Sequence, residues 1–306
     1  MSIVRRASIL LSIISISVFL LSACVSSSPT SPSTSSKVLN VVAAENFYGN
    51  IVQQLGGSRV AVVSILSDPN ADPHEYESSF KDAAAVSNAD LVIRNGGNYD
   101  TWMDKLLSAS PNPKRVVITA SDVAVHKLPD NPHVWYGVDN VSSIAEAITA
   151  SLKKLDAAGT ATFSNNLSSF KQSLVAIQQK MSAIKARYAG TPVGLTETIY
   201  LYQTSPAGLN VLTPFEFEKA IAEGNDPPAA TVATVNDQIN KKQVKVLIYN
   251  EQTITPVTTN LQNEAKTQNI PIVPVTETLP RGKTYQAWML SQLDNLQQAL
   301  ATSTGR

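Results

Sequence analysis

Leu167-Ser168-Ser169-Phe170-Lys171-Gln172-Ser173-Leu174-Val175-Ala176-Ile177-Gln178-Gln179-Lys180-Met181-Ser182-Ala183-Ile184 decides how this chain is organised. Leu167, Leu174, Ile177, Met181 and Ile184 recur at three- and four-residue steps, the spacing that places side chains on one face of an α-helix. The pattern extends over residues 141–187, which are Gly-poor, rich in Ala, Leu, Lys and Gln, and broken only near Gly159. It predicts one or two long helices. On either side the period changes. Short β-branched runs at 39–43, 60–65, 91–94 and 116–119 alternate with amphipathic stretches such as 47–55 and 79–87. The alternation resumes at 192–195, 244–249 and 270–275 and closes with an amphipathic helix over 285–301. Strands interleaved with helices indicate parallel sheets. The expected fold is therefore α/β: two similar lobes with parallel sheets, 38–140 and 190–306, joined by a long backbone helix over 141–189.

The first residues have a different logic. Arg5 and Arg6 precede an apolar run over 9–21, and Leu21-Ser22-Ala23-Cys24 places the only cysteine of the chain directly after small residues. That layout resembles a bacterial lipoprotein signal, with residues 1–23 removed and Cys24 lipidated. The run is shorter than the roughly 20 residues a membrane-spanning helix needs; an uncleaved N-terminal anchor is the alternative. Residues 24–37 are mostly Ser, Thr and Pro, a composition that buries little and suits a tether. The expected location is the extracytoplasmic face of a bacterial membrane, with the folded part held there by lipid.

Charge and cysteine usage narrow the chemistry. The chain has 24 basic and 24 acidic residues, so losing Arg5 and Arg6 with the signal leaves a net charge of −2. Nucleic-acid partners, which demand basic surface, are not expected. With no cysteine after Cys24, any site must be built from His and carboxylates. Three histidines are present, two of them in matching contexts: Asp72-Pro73-His74 and Asn131-Pro132-His133. In each, proline stiffens the backbone just before the imidazole. Both follow strand-like runs, at the sheet end where open α/β folds bind ligands. Two histidines alone leave a surface or hydrogen-bonded structural role open. His126 lies in a polar stretch over 124–129 and has no apparent partner.

The order of motifs adds more. Ala44-Glu45-Asn46-Phe47-Tyr48-Gly49, Gly56-Gly57, Asp72-Pro73-His74-Glu75-Tyr76-Glu77, Ala89-Asp90-Leu91-Val92-Ile93 and Asn95-Gly96 follow one another in the first half. They resemble the N-terminal lobe of the zinc- and manganese-binding solute receptors of ABC transporters. Asn131-Pro132-His133-Val134-Trp135 is similar to that family's second ligand motif. Gly224-Asn225-Asp226-Pro227, Val246-Leu247-Ile248-Tyr249-Asn250 and Val275-Thr276-Glu277-Thr278-Leu279-Pro280 resemble a subgroup of it. The resemblance covers residues 38–301.

It implies a helical-backbone metal receptor whose ligands are His74, His133, Glu197 in Gly194-Leu195-Thr196-Glu197-Thr198, and Glu277. Thr198-Ile199-Tyr200-Leu201-Tyr202 departs from the aromatic-rich turn many members carry there, and a solvated carboxylate or helix N-cap neighbour is the alternative role for Glu197 and Glu277. Two imidazoles and two carboxylates suit Zn2+ or Mn2+ as the transported ligand. Zinc-dedicated relatives often carry a His-rich loop before the second ligand, whereas residues 108–130 contain only His126; the Glu277-Thr278-Leu279-Pro280 subgroup tips the expectation slightly to zinc. The resemblance further implies a monomer working with an ABC permease and a separate ATPase, and no catalysis. Competing readings are a surface metallohydrolase and an adhesin or organic-ligand receptor sharing the fold. The first lacks a His-Glu-x-x-His or Gly-x-Ser-x-Gly motif. The organic-ligand receptor has little support in a chain that is 6% aromatic with three Trp.

Overall fold

The computed structural model describes residues 37–69, 71 and 76–306. The first half contributes β1 (Leu39–Glu45), α1 (Asn46–Gly56), β2 (Val60–Leu66), α2 (Phe80–Ser87), β3 (Leu91–Arg94), α3 (Thr101–Ala109), β4 (Val116–Thr119) and the single turn α4 (Ala120–Val123). Two long helices follow, α5 (Val138–Leu155) and α6 (Thr160–Tyr188). The second half comprises β5 (Pro192–Leu195), α7 (Leu201–Thr204), β6 (Asn210–Val211), α8 (Phe215–Ala222), α9 (Ala229–Asn240), β7 (Val246–Asn250), α10 (Pro256–Thr267), β8 (Ile272–Val275) and α11 (Tyr285–Thr304).

Both sheets are wholly parallel and have equivalent order, β2-β1-β3-β4 and β6-β5-β7-β8. In each, the first strand is internal and the chain leaves it first to one side and later to the other. The connections therefore diverge at the carboxyl ends of β1 and β3, and of β5 and β7, opening a crevice there. The expected two-lobed α/β fold is the one observed.

The expected connecting stretch is two helices. Asp156 ends α5: its carboxylate accepts from Gly159 N–H and is paired with Arg59 at 2.6 Å. A Cβ at Gly159 would lie 2.5 Å from the Phe163 ring, so a side chain at the break would displace Phe163 or Asp156. The 29 residues of α6 bury Phe163, Phe170, Leu174, Ile177, Met181, Ile184 and Tyr188, a stripe of one helical face. That stripe lies on α1, α5 and α11, which come from both halves of the chain. One apolar core consequently runs through both lobes, from Leu39 and Leu91 through Ile177 to Val246 and Leu296. Smaller clusters cover the outer sheet faces, around Val92 and Met103 in one lobe and Leu247 and Leu261 in the other.

Candidate metal centre

The turn after β3 is built around one carboxylate. Asp100 accepts from the N–H groups of Asn95 (2.7 Å) and Gly96 (2.8 Å), and Arg94 pairs with it at 3.3 Å. Gly96 has φ 74°, a left-handed conformation that glycine adopts without strain. The turn presents Tyr99, 4% exposed, with its hydroxyl towards the second lobe.

His133 is fixed by the asparagine two residues before it. Asn131 Oδ1 lies 3.1 Å from the His133 backbone N–H and 2.9 Å from Nδ1. A carboxamide oxygen only accepts, so the hydrogen-bond network assigns a proton to Nδ1; in the neutral ring Nε2 then carries the lone pair that a metal ligand needs. Asn131 also reaches across the lobes, donating from Nδ2 to Thr198 O at 2.7 Å. Asn95 Nδ2 holds Pro132 O at 2.9 Å. Trp135 and Tyr99 stand edge-on to the imidazole, with centroids at 5.2 and 5.8 Å.

The second lobe supplies two carboxylates from strand ends. Glu197 follows β5 at the start of a 3-10 turn over Thr198–Tyr200, but its side chain does not cap that turn. Thr253 donates to Glu197 Oε2 at 3.2 Å. Glu277 follows β8 and is held at both oxygens: Asn250 Nδ2 donates to Oε1 at 2.6 Å and the Tyr99 hydroxyl to Oε2 at 2.7 Å. Burial, and after it the charge of Glu277, pushes the Tyr99 phenol well above its usual value, so it remains a donor.

His133, Glu197 and Glu277 are each no more than 1% exposed, and one potential ligand atom from each lies within 4.8 Å of the others. His133 Nε2 is 3.9 Å from Glu277 Oε2. Two carboxylates gathered with an imidazole in a buried space make a site that a cation would offset electrostatically. One nitrogen and two oxygen donors match the preferences of zinc and manganese.

Three of the expected site residues thus converge. His74 and Cys24 lie outside the described residues. His126 is not part of the buried group: its side chain is 73% exposed and faces Asp139 at 3.7 Å. Sequence reasoning did not assign roles to Tyr99, Asn250 or Thr253, nor Asn131's grip on the imidazole. The last had a local signal, since asparagine commonly bonds the backbone two residues on.

Residues 41–299 match the family described as zinc-uptake complex component A, periplasmic (ZnuA). The chain belongs to this family. It is 25% identical over 300 residues to the metal ABC transporter substrate-binding lipoprotein ScbA of Streptococcus cristatus, covering 92% of this chain and 94% of that one. Solved structures share the fold at lower identity. The SBP FpvC of Pseudomonas aeruginosa in complex with Mn2+ superposes with a TM-score of 0.74 at 21% identity, over 87% of this chain and 100% of that one. The periplasmic zinc binding protein TroA of Treponema pallidum gives 0.71 at 19%, over 85% and 98%.

Proposed function

We propose that this ZnuA-family chain is an extracytoplasmic receptor that captures a divalent transition metal, Zn2+ or Mn2+, and hands it to an ABC permease driven by a separate ATPase. The observation that carries the reading is the buried cluster of His133, Glu197 and Glu277, drawn from both lobes at the carboxyl ends of the sheets. His74, in the connection after β2, is the fourth ligand. The lobes 38–140 and 190–306 enclose the ion between them, joined by the 141–189 helical stretch, and the whole acts as a monomer tethered through a lipid on Cys24.

A shell of four protein ligands completes a tetrahedral zinc site with no open position, which favours carriage over catalysis. The zinc-uptake description of the family favours transport over the surface-hydrolase and adhesin readings. The donor set by itself does not separate the two ions: imidazole suits zinc, carboxylate oxygen suits manganese, and affinity rises along the divalent series from manganese towards zinc whatever is carried.

Calorimetric titration of the full chain with Zn2+ and with Mn2+ tests the reading. One equivalent of either ion should bind, and His133→Ala should weaken it by at least about tenfold. A chain that binds neither ion, or a His133→Ala variant that binds like wild type, would refute the assignment. Growth of a deletion strain in chelator-treated medium then separates the metals, with rescue by Zn2+ expected.

A further inference from the structure

Gln252 lies just beyond β7 and joins two connections that the site depends on. Its Oε1 accepts from the backbone N–H of Glu277 at 2.5 Å and of Thr278 at 3.2 Å. Its Nε2 faces Pro69 O and Ala71 O, each at 3.0 Å, and Thr278 Oγ1 at 2.8 Å. Thr278 closes the arrangement by donating its own hydroxyl to Pro69 O at 3.2 Å. One carboxamide therefore ties the turn bearing Glu277, in the second lobe, to the connection after β2 in the first, which runs on in sequence to His74.

We infer that Gln252 is a positioning residue that sets how long the captured metal stays bound; the inference rests on the receptor reading above. The bond fixes the Glu277 backbone, so any withdrawal of the ligand that moves the turn pulls its N–H from Gln252 Oε1. Because the same side chain grips Pro69 and Ala71, that movement is resisted by the first lobe as well. Withdrawal of a ligand from one lobe is thereby coupled to release of a loop in the other. Only a head group that donates and accepts at once can do this. A carboxylate lacks the donors, an aliphatic chain lacks both, and asparagine is one methylene too short to span the gap.

The test compares the full chain with Gln252→Met, which keeps the side chain's size and loses its hydrogen bonds, and with Gln252→Asn. Chelator capture in a stopped-flow instrument measures dissociation of Zn2+ and, separately, of Mn2+. Both variants should release either ion about tenfold faster than wild type, the scale typical of losing an outer-shell partner. Association should stay within about twofold, since such contacts act mainly on the off-rate, while the metal-free thermal midpoint should fall by a few degrees as buried polar groups lose their partners. A purely structural residue would lower the metal-free midpoint in the same way but leave dissociation alone, and that result overturns the inference. If Gln252→Met fails to fold, Gln252→Asn carries the same comparison. A wild-type chain that binds and variants that release at its rate overturn this inference alone, whereas a wild-type chain that binds neither ion overturns the receptor reading together with it.

Discussion

Tyr99 of the first lobe donates its hydroxyl to Glu277 of the second at 2.7 Å, across 178 residues of sequence and with both side chains buried. The bond aims one carboxylate oxygen and spans the cleft at once. Tyr99→Phe removes the hydroxyl and keeps the ring against Trp135, centroids 4.9 Å apart. Metal affinity should fall about tenfold with the fold intact, as for other outer-shell losses. Calorimetric titration beside a circular-dichroism spectrum checks it, and unchanged affinity would show that the bond does not aim the ligand.

The histidines should behave in opposite ways. His133 is fully buried with Nδ1 committed to Asn131, whereas His126 is exposed beside Asp139. His133→Ala should cost at least about tenfold in affinity for Zn2+ or Mn2+. His126→Ala should leave binding at the wild-type level. Equal losses from the two variants would mean that the ion sits elsewhere.

Glu45, at the carboxyl end of β1, is fully buried. Burial, and after it the charge of Asp100, holds its carboxyl well above the usual carboxylate range. Above about pH 4.3, where an unfolded glutamic acid ionises, the folded state therefore keeps a proton that the unfolded state has lost. Stability contributed by that proton is present below the unfolded value and declines as pH rises towards the folded one. Glu45→Gln removes the penalty. Its thermal midpoint should match wild type near pH 4 and rise above it by about 2 °C or more towards neutral pH, as expected for a change near 1 kcal/mol. Midpoints measured from pH 4 to 9 decide this; a pH-independent difference would contradict the assignment.

The core shared by the lobes limits how they move. The buried stripe of α6 lies on α1, α5 and α11 together, so wide opening would expose a continuous apolar interface. We expect metal release to proceed by local movement of the loops around Glu197 and Glu277. Small-angle scattering profiles of the metal-free and loaded chain should superimpose, and a marked compaction on adding metal would contradict this.

Attachment is tested at the other end of the chain. Cys24→Ser should prevent lipidation and free the protein from the membrane fraction while leaving metal binding intact. Recovery of the variant in membranes at the wild-type level would rule out acyl anchoring.

Much of the architecture was legible before any coordinates. Leu91–Arg94, Val116–Thr119 and Pro192–Leu195 form strands with the expected bounds, because short apolar runs between turn-forming residues have few other ways to be buried. The stripe from Leu174 to Ile184 marked α6 for the same reason. Strand β6, only Asn210 and Val211, was not visible, since two residues carry no period and its place is set by pairing with Pro192 and Val193.

Local periodicity and stiffness are properties of neighbouring residues, and for these the sequence by itself determined the answer: seven of the eight strands, the long helices, the two-lobed α/β class, the break near Gly159, and His133 on a proline-stiffened segment. Its likeness to metal receptors also singled out Glu197 and Glu277. Only the tertiary structure decided that these two carboxylates and His133 share one buried space, that His126 lies outside it, and that Tyr99 and Asn250 hold Glu277 by its two oxygens. Gln252 shows the reason most plainly. Its bonds to Pro69 and Ala71 join residues 183 and 181 positions apart, and a contact made by folding the chain back on itself leaves no trace in the spacing of residues along it.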